Sequence, residues 1–286
     1  MTAIDVAARL PRRRRKPRTW SHRVAIGSGI VIGLIIVAAV FAPLIAPDNP
    51  NAISLGSQFA PSSAAHLLGT DASGRDILSR LLYGARPALI GPTVAVLVAA
   101  MLATLLAVLC AWLGGWFDRI ISRAIDILFA FPGVLLALLA AAVFGAGFVA
   151  SILAVGIAEV PYIARVIRTE AMRQRSRPYI EGALVQGFAS PAVIVRHLIP
   201  NLMPTVITQI ALSFGYVIMN LAAISYLGLG IQPPNADWGS MVSDGQSSII
   251  QGYPEEALYA AACIVVLVVA FTLLGDHVAR RLESRR

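Results

Sequence analysis

The sequence predicts an all-α polytopic membrane protein with six transmembrane helices, and three observations carry that prediction. Of 286 residues, 57% are hydrophobic and only 13% charged, with a mean hydropathy of +0.75; soluble domains are closer to half apolar and a quarter charged. Charge-free runs recur at lengths a bilayer sets, because about 20 helical residues cross a hydrocarbon core of ~30 Å in which backbone polar groups must satisfy one another. The basic residues, finally, cluster on alternate sides of those runs. Disorder is excluded by the apolar content. A disulfide framework is excluded by the cysteine count, since Cys110 and Cys263 each lie inside a long apolar run and read as small apolar fillers.

The first span is Val24 to Ala46, uncharged and stopped by Pro47. Arg12 to Arg15 and Lys16 precede it as in a signal peptide, but the stretch is too long and lacks a small-x-small cleavage site, so a retained helix is expected. A second uncharged run, Pro87 to Phe117, accommodates one helix ending near Gly114-Gly115. The run from Ile127 to Ala158 is divided by Gly145-Ala146-Gly147. A third helix therefore begins near Ala124, and a fourth runs to about Arg168. The fifth covers about Leu202 to Leu229 and the sixth Ala257 to Gly275. The resulting segments are a basic tail (1–23), the first helix (24–46), an external loop (47–86), a five-helix core (87–279) with a loop at about 170–200, and a short tail (280–286).

Orientation follows from the arginines. The N-terminal tail (Arg9, Arg12 to Arg15, Lys16, Arg18, Arg23), the second interhelical loop (Arg119, Arg123), the fourth (Arg165, Arg168, Arg173, Arg175, Arg177, Arg196) and the C-terminal tail (Arg280, Arg281, Arg285, Arg286) hold 20 of the 23 basic residues. All fall on one side, so both termini are expected to be cytoplasmic. On the other side Arg75, Arg80 and Arg86 are balanced by Asp48, Asp71 and Asp76. The basic tail reads as a topology determinant lying on anionic lipid, and no nucleic-acid partner is expected.

Enzyme chemistry finds little support. The only lysine, Lys16, is followed by Pro17, so no G-x-x-x-x-G-K-[ST] phosphate loop exists and ATP chemistry would have to come from another subunit. His22, His66, His197 and His277 are scattered without metal-ligand spacing, and no nucleophile or acid-base cluster is evident, so neither a catalytic residue nor a metal ligand is expected.

Between the fourth and fifth spans, Tyr179 to Phe188 reads as a short amphipathic helix with Ile180, Leu184 and Phe188 on one stripe, ended by Gly187 and discouraged from continuing by Pro191. Such a helix suits either a grip by another protein or rest on the lipid surface.

At this loop Glu181-Gly182-Ala183, Gly187 and Ile199-Pro200 resemble the E-A-A…G…I-x-L-P loop of binding-protein-dependent ABC importer permeases, departing at Gly182, where the family prefers alanine, and at His197. Leu68-Gly69-Thr70-Asp71 with Gly74-Arg75-Asp76, Ser79-Arg80 and Tyr83-Gly84-Ala85-Arg86 is similar to the signature of the second, C-type permease of the dipeptide and oligopeptide branch. So are Gly114 to Arg119 with Asp126 and Phe131-Pro132-Gly133, Ser225 to Pro234 with Trp238-Gly239 and Asp244-Gly245, and Leu274-Gly275-Asp276. The resemblance implies a type I ABC importer permease core with one extra N-terminal helix in a bacterial cytoplasmic membrane. It further implies a second permease, two ABC ATPase subunits carrying ATP and magnesium, an external solute-binding protein and a peptide substrate, with no cofactor on this chain. Relatives of this branch also handle glutathione, nickel chelates and haem-type ligands. An ion-gradient-driven secondary transporter is the alternative outside the family, and would need a buried carboxylate at a coupling site, for which only Glu159 is available. The loop residues expected to meet the ATPase are Tyr179, Glu181, Gly182, Ala183, Gly187, Ile199 and Pro200.

Polar groups inside apolar spans are costly, so each needs a reason. Glu159 in the fourth span is read as facing a solute path, pairing with an arginine, or snorkelling past Pro161 toward the interface. Gln209, Ser213, Tyr216 and Asn220 in the fifth are candidates for lining a pathway or for interhelical hydrogen bonds. Gly29 and Gly33 form a G-x-x-x-G pair, and Trp238 has the character of an interfacial aromatic.

Overall fold

The computed structural model describes residues 19–283. Arg9, Arg12 to Arg15, Lys16 and Arg18, and Arg285 and Arg286, lie outside the described residues. Within them the chain forms ten α-helices: α1 (Thr19–Ile45), α2 (Ile77–Leu113), α3 (Gly115–Ala130), α4 (Gly133–Phe144), α5 (Phe148–Arg175), α6 (Pro178–Val185), α7 (Ser190–Val193), α8 (Ile199–Tyr226), α9 (Trp238–Ile250) and α10 (Glu255–Glu283). A π-helical segment, Ile194–Leu198, joins α7 to α8. Five stretches are long and apolar enough to cross a membrane unaided: 22–45, 77–113, 148–175, 190–226 and 255–282.

The third expected span is present as two pieces. Pro132 has no backbone N–H to donate, and its ring pushes Phe131 out of the helical region, to φ −88° and ψ 131°. The helix therefore stops at Ala130 and restarts at Gly133, leaving the twelve-residue α4 too short to cross alone. The expected break at Gly145-Ala146-Gly147 is where α4 ends and α5 begins.

The second span starts ten residues before the expected Pro87, so 77–86 is helix rather than loop. Asp76 caps it, accepting from the Ser79 backbone N–H at 2.8 Å and the Ser79 hydroxyl at 2.7 Å. The first turns of α2 carry arginines, which the charge-free criterion assigned to water. Arg80 is instead 1% exposed. Its guanidinium lies 3.6 Å from Asp71, 3.9 Å from Glu256 and 3.9 Å from Asp244, while Arg75 bonds Asp71 at 2.5 Å and lies 3.7 Å from Asp244. This knot ties the 47–76 segment to α9 and to the start of α10. Beside it His66 Nδ1 stands 3.2 Å from Asp76 and 3.7 Å from Asp48, a grouping the scattered histidine positions did not reveal. Asp76 already caps α2, so we read the group as a clamp on the loop.

Trp238 is buried within the chain: its indole N–H donates to the Leu81 carbonyl at 2.9 Å, and α2 admits the ring because position 84 is glycine, where a Cβ would stand 2.8 Å from it. Segment 227–254 is thus a packed hairpin around α9. Gly29 and Gly33 face open space, with nothing within 4 Å of a Cβ built there, so they mediate no helix approach within this chain. The main core lies between α2, α5 and α8, where alanines such as Ala99, Ala103, Ala107 and Ala164 let the helices pack closely.

Candidate functional site

Two features form the site, an open cavity midway along the bundle and a short helix at one end of it. The cavity, about 600 Å³, is bounded by the α3–α4 break (Leu128 to Gly133), by Val155, Ala158, Glu159 and Tyr162 of α5, and by Leu212, Ser213, Tyr216 and Asn220 of α8. The break creates it: where α3 stops at Ala130, before Pro132, the wall opens, and Phe129 and Phe131 border the gap. Tyr162 and Tyr216 are about half exposed, so the cavity is open at the chain's surface.

Glu159 is the one acidic or basic side chain lining it. It is 4% exposed, and its Oε1 accepts from the Ser213 hydroxyl at 2.6 Å. Both sequence readings that took Glu159 out of the bundle are corrected. It does not snorkel, because Ser213 holds it inward, and it pairs with no arginine among the described residues. Arg165, two turns on, is engaged by Asp126 at 2.8 Å and by the Phe129 ring at 4.6 Å. Of the five residues expected to line a pathway, Glu159, Ser213, Tyr216 and Asn220 line this cavity. Gln209 does not; it is buried one turn away with its Oε1 lacking a hydrogen-bond partner. Asn220 donates to the Tyr216 carbonyl at 2.9 Å.

The second feature is α6, at the end where α2 and α5 finish and α3 and α8 begin. Asp118 of α3 binds Arg168 of α5 through two bonds of 2.6 and 2.5 Å, and these hydrogen bonds hold the Asp118 carboxyl below the usual carboxylate range. Pro178 starts α6, and Gly187, at φ +84°, ends it: the Gly187 N–H bonds the Leu184 carbonyl and the Phe188 N–H bonds the Ala183 carbonyl. This paired closure is open to glycine far more readily than to a residue with a Cβ.

The buried face of α6 is Ile180 and Ala183, both part of the main core. The expected Ile180, Leu184, Phe188 stripe is corrected: Leu184 is exposed on α6, and Phe188 lies beyond the end of the helix at Val185, where it turns to meet the His197 ring. Val185 (88% exposed) and Glu181 stand on the outer surface, the latter without an ion pair among the described residues. Tyr179 is fastened to α5 through Gln174 at 2.8 Å. A Cβ at Gly182 would meet nothing within 4 Å, so glycine there lowers helix propensity, by about 1 kcal/mol, without serving a contact. Ile199 and Pro200 open α8, as a continuation of α7 and the π segment.

Comparison with known proteins adds the context. Residues 103–286 match the family described as binding-protein-dependent transport system inner membrane component, and residues 18–63 match the N-terminal TM domain of oligopeptide transport permease C. Among curated relatives, the glutathione transport system permease protein GsiD of Pectobacterium atrosepticum is 35% identical, over 98% of this chain and 93% of its own length. The protein of the same name from Shigella flexneri is 38% identical over 92% and 87%. A putative peptide transport system permease protein of Brucella suis is 35% identical over 95% and 90%.

Proposed function

The chain belongs to the family of binding-protein-dependent transport system inner membrane components, and from that premise we propose that it is one half of the translocation pathway of an ATP-driven importer of short peptides, glutathione among them. The observation that carries the proposal is the open cavity at mid-bundle. Ser213, Tyr216, Asn220 and Tyr162 offer hydrogen-bonding groups there to the amides that all peptides share, and the ring faces of Phe129 and Phe131 accept varied side chains without reading them. Peptide and glutathione permeases among the relatives support the same substrate class.

In this reading the surface carrying Tyr162 and Tyr216 faces a second, homologous permease, and the α6 end, rich in arginine, is cytoplasmic. Two ATPase subunits grip α6 there, and an external binding protein delivers solute at the α9 end. The paired closure at Gly187 and the Ile180–Ala183 anchor make α6 a rigid handle on the core, so that ATP-driven movement of the ATPases is passed through α5 and α8 to the cavity walls. This chain itself would hydrolyse nothing.

Purifying the chain from its native membrane, identifying its stoichiometric partners by mass spectrometry and measuring ATP-dependent uptake of dipeptide and of glutathione in proteoliposomes tests this. A second permease, P-loop ATPases and a binding protein, with uptake of either solute, are expected. A homomer that transports on an ion gradient without ATPases would overturn the proposal.

A further inference from the structure

We propose that Glu159 makes the cavity a binding site for an organic ammonium group, the α-amino terminus of a passing peptide, held by the carboxylate and flanked by aromatic rings. The inference rests on the cavity being a solute pathway and names what that pathway reads. Four observations point to it. Glu159 is 96% buried in the wall of an open cavity, where an isolated carboxylate is costly unless something balances it. Nothing in the described chain does so: the only bond it receives is from the neutral Ser213 hydroxyl, and the nearest arginine along α5 is spent on Asp126 and Phe129. Ser213 nonetheless fixes the carboxylate at the cavity wall, which a group merely tolerated by the fold would not need. Tyr162, Tyr216 and Phe131 line the same cavity, and aromatic ring faces attract cations, as the Phe129 ring beside them already does with Arg165. One carboxylate among several rings suits an ammonium better than a bare metal ion, which would need further oxygen or nitrogen ligands. Every peptide with a free amino terminus presents such an ammonium whatever its side chains, so the site selects the class without selecting the sequence.

The test reads the cavity electrostatically and does not depend on transport. In the intact complex, with Cys110 and Cys263 replaced by alanine, Asn220→Cys on the cavity wall is modified by trimethylammonium-ethyl methanethiosulfonate or by its sulfonatoethyl counterpart, in Glu159 and Glu159→Gln backgrounds. The ratio of cation to anion modification rates is expected to fall about tenfold on Glu159→Gln, and to be largely kept by Glu159→Asp. An unchanged ratio would show that a proton alone balances Glu159 and would overturn the inference. So would failure of either reagent to reach position 220 in a complex that still assembles. A shifted ratio, with no peptide import by the parent complex in which Asn220 is intact, would uphold the ammonium site and overturn the peptide-importer reading.

Discussion

Glu256 and Glu159 are almost equally buried, 3% and 4% exposed, yet their surroundings are opposite. Glu256 sits at the start of α10 facing Arg80, inside a knot that also holds Asp71, Asp244 and Arg75. Glu159 sits midway along α5 facing a cavity, with a serine and no cation. The difference separates two uses of buried charge. Where opposite charges are brought together from two stretches distant in sequence, 71–80 and 244–256, removing one weakens the compensation of the others, and the charges act as a lock. Where a single charge meets open volume, no ion pair in the described chain accounts for it, and the partner we propose for it is what enters. The same contrast divides the two ends of the bundle. The α9 end is locked through its loops, whereas the α6 end presents a short helix held by one buried face and one glycine closure.

The largest expected effect comes from opening the lock. Arg80→Leu leaves Glu256 without its cation and Asp71 with Arg75 alone, and breaking a buried ionic group by removing one member costs about 3–5 kcal/mol. The guanidinium contacts are long, at 3.6 to 3.9 Å, and neither Arg80 Nε nor Glu256 Oε1 has a hydrogen-bond partner, so attraction between charges holds the group. Thermal unfolding of the detergent-purified chain should shift strongly downward, or the chain should fail to accumulate. A variant as stable as the parent would show that the knot is not a lock.

That knot marks where the sequence was hard to read. Arg80 and Arg86 looked like loop charges because the charge-free criterion starts the second span only at Pro87. Their partners, Asp244 and Glu256 for Arg80 and the Ala39 carbonyl for Arg86, are brought in from other helices. The third span was drawn unbroken because a count of charges ignores Pro132, although a proline in mid-run is itself the signal for a break. The end of α6, by contrast, was legible at Gly187, since a helix terminus is a local event. Glu159, Ser213, Tyr216 and Asn220 could be singled out as polar groups in apolar runs. That they share one cavity, while Gln209 one turn away does not, depends on the depth at which α5 and α8 pass the Pro132 break.

A medium effect is expected where the α6 end is held by backbone geometry. Gly187→Val meets no steric neighbour, but it forces a β-branched residue into a left-handed conformation, costing about 1–2 kcal/mol, borne by an eight-residue helix with little else to hold its end. Membrane insertion and complex assembly should persist while solute uptake, and ATP hydrolysis stimulated by the loaded binding protein, fall together. Glu181→Lys should act the same way by altering the outward face alone. Normal uptake in both would remove α6 from the coupling route.

Smaller again is the contribution of the Asp118–Arg168 pair, the α6 end's own ion pair, at about 1 kcal/mol for a partly exposed contact. Hydrogen bonds from Arg168 lower the Asp118 pKa in the folded state. Its stabilisation is therefore complete above the ordinary carboxylate pKa and is lost as pH falls below about 4 toward the lowered folded value. Melting temperatures of the parent and Asp118→Asn should converge on acidification through that range. A constant gap between them would place the effect of the substitution elsewhere.

The smallest expected change in stability is the one that sharpens the contrast most. Glu159→Gln keeps the shape of the side chain and an oxygen to accept from Ser213, and it removes a charge that no group in the described chain balances. An ionised carboxylate buried without a counter-charge is costly, and a neutral isostere in its place carries no such cost. Its melting temperature should thus match or exceed the parent's, whereas Glu256→Gln deprives Arg80 of one of its three acidic neighbours and should lower it. If Glu159→Gln were instead the more damaging of the two, the carboxylate would be supporting the α5–α8 contact, and the cavity would be an incidental gap beside a structural hydrogen bond. If it is the benign one, the fold carries at mid-bundle a charge it does not use for its own stability, which leaves the solute as the partner that does.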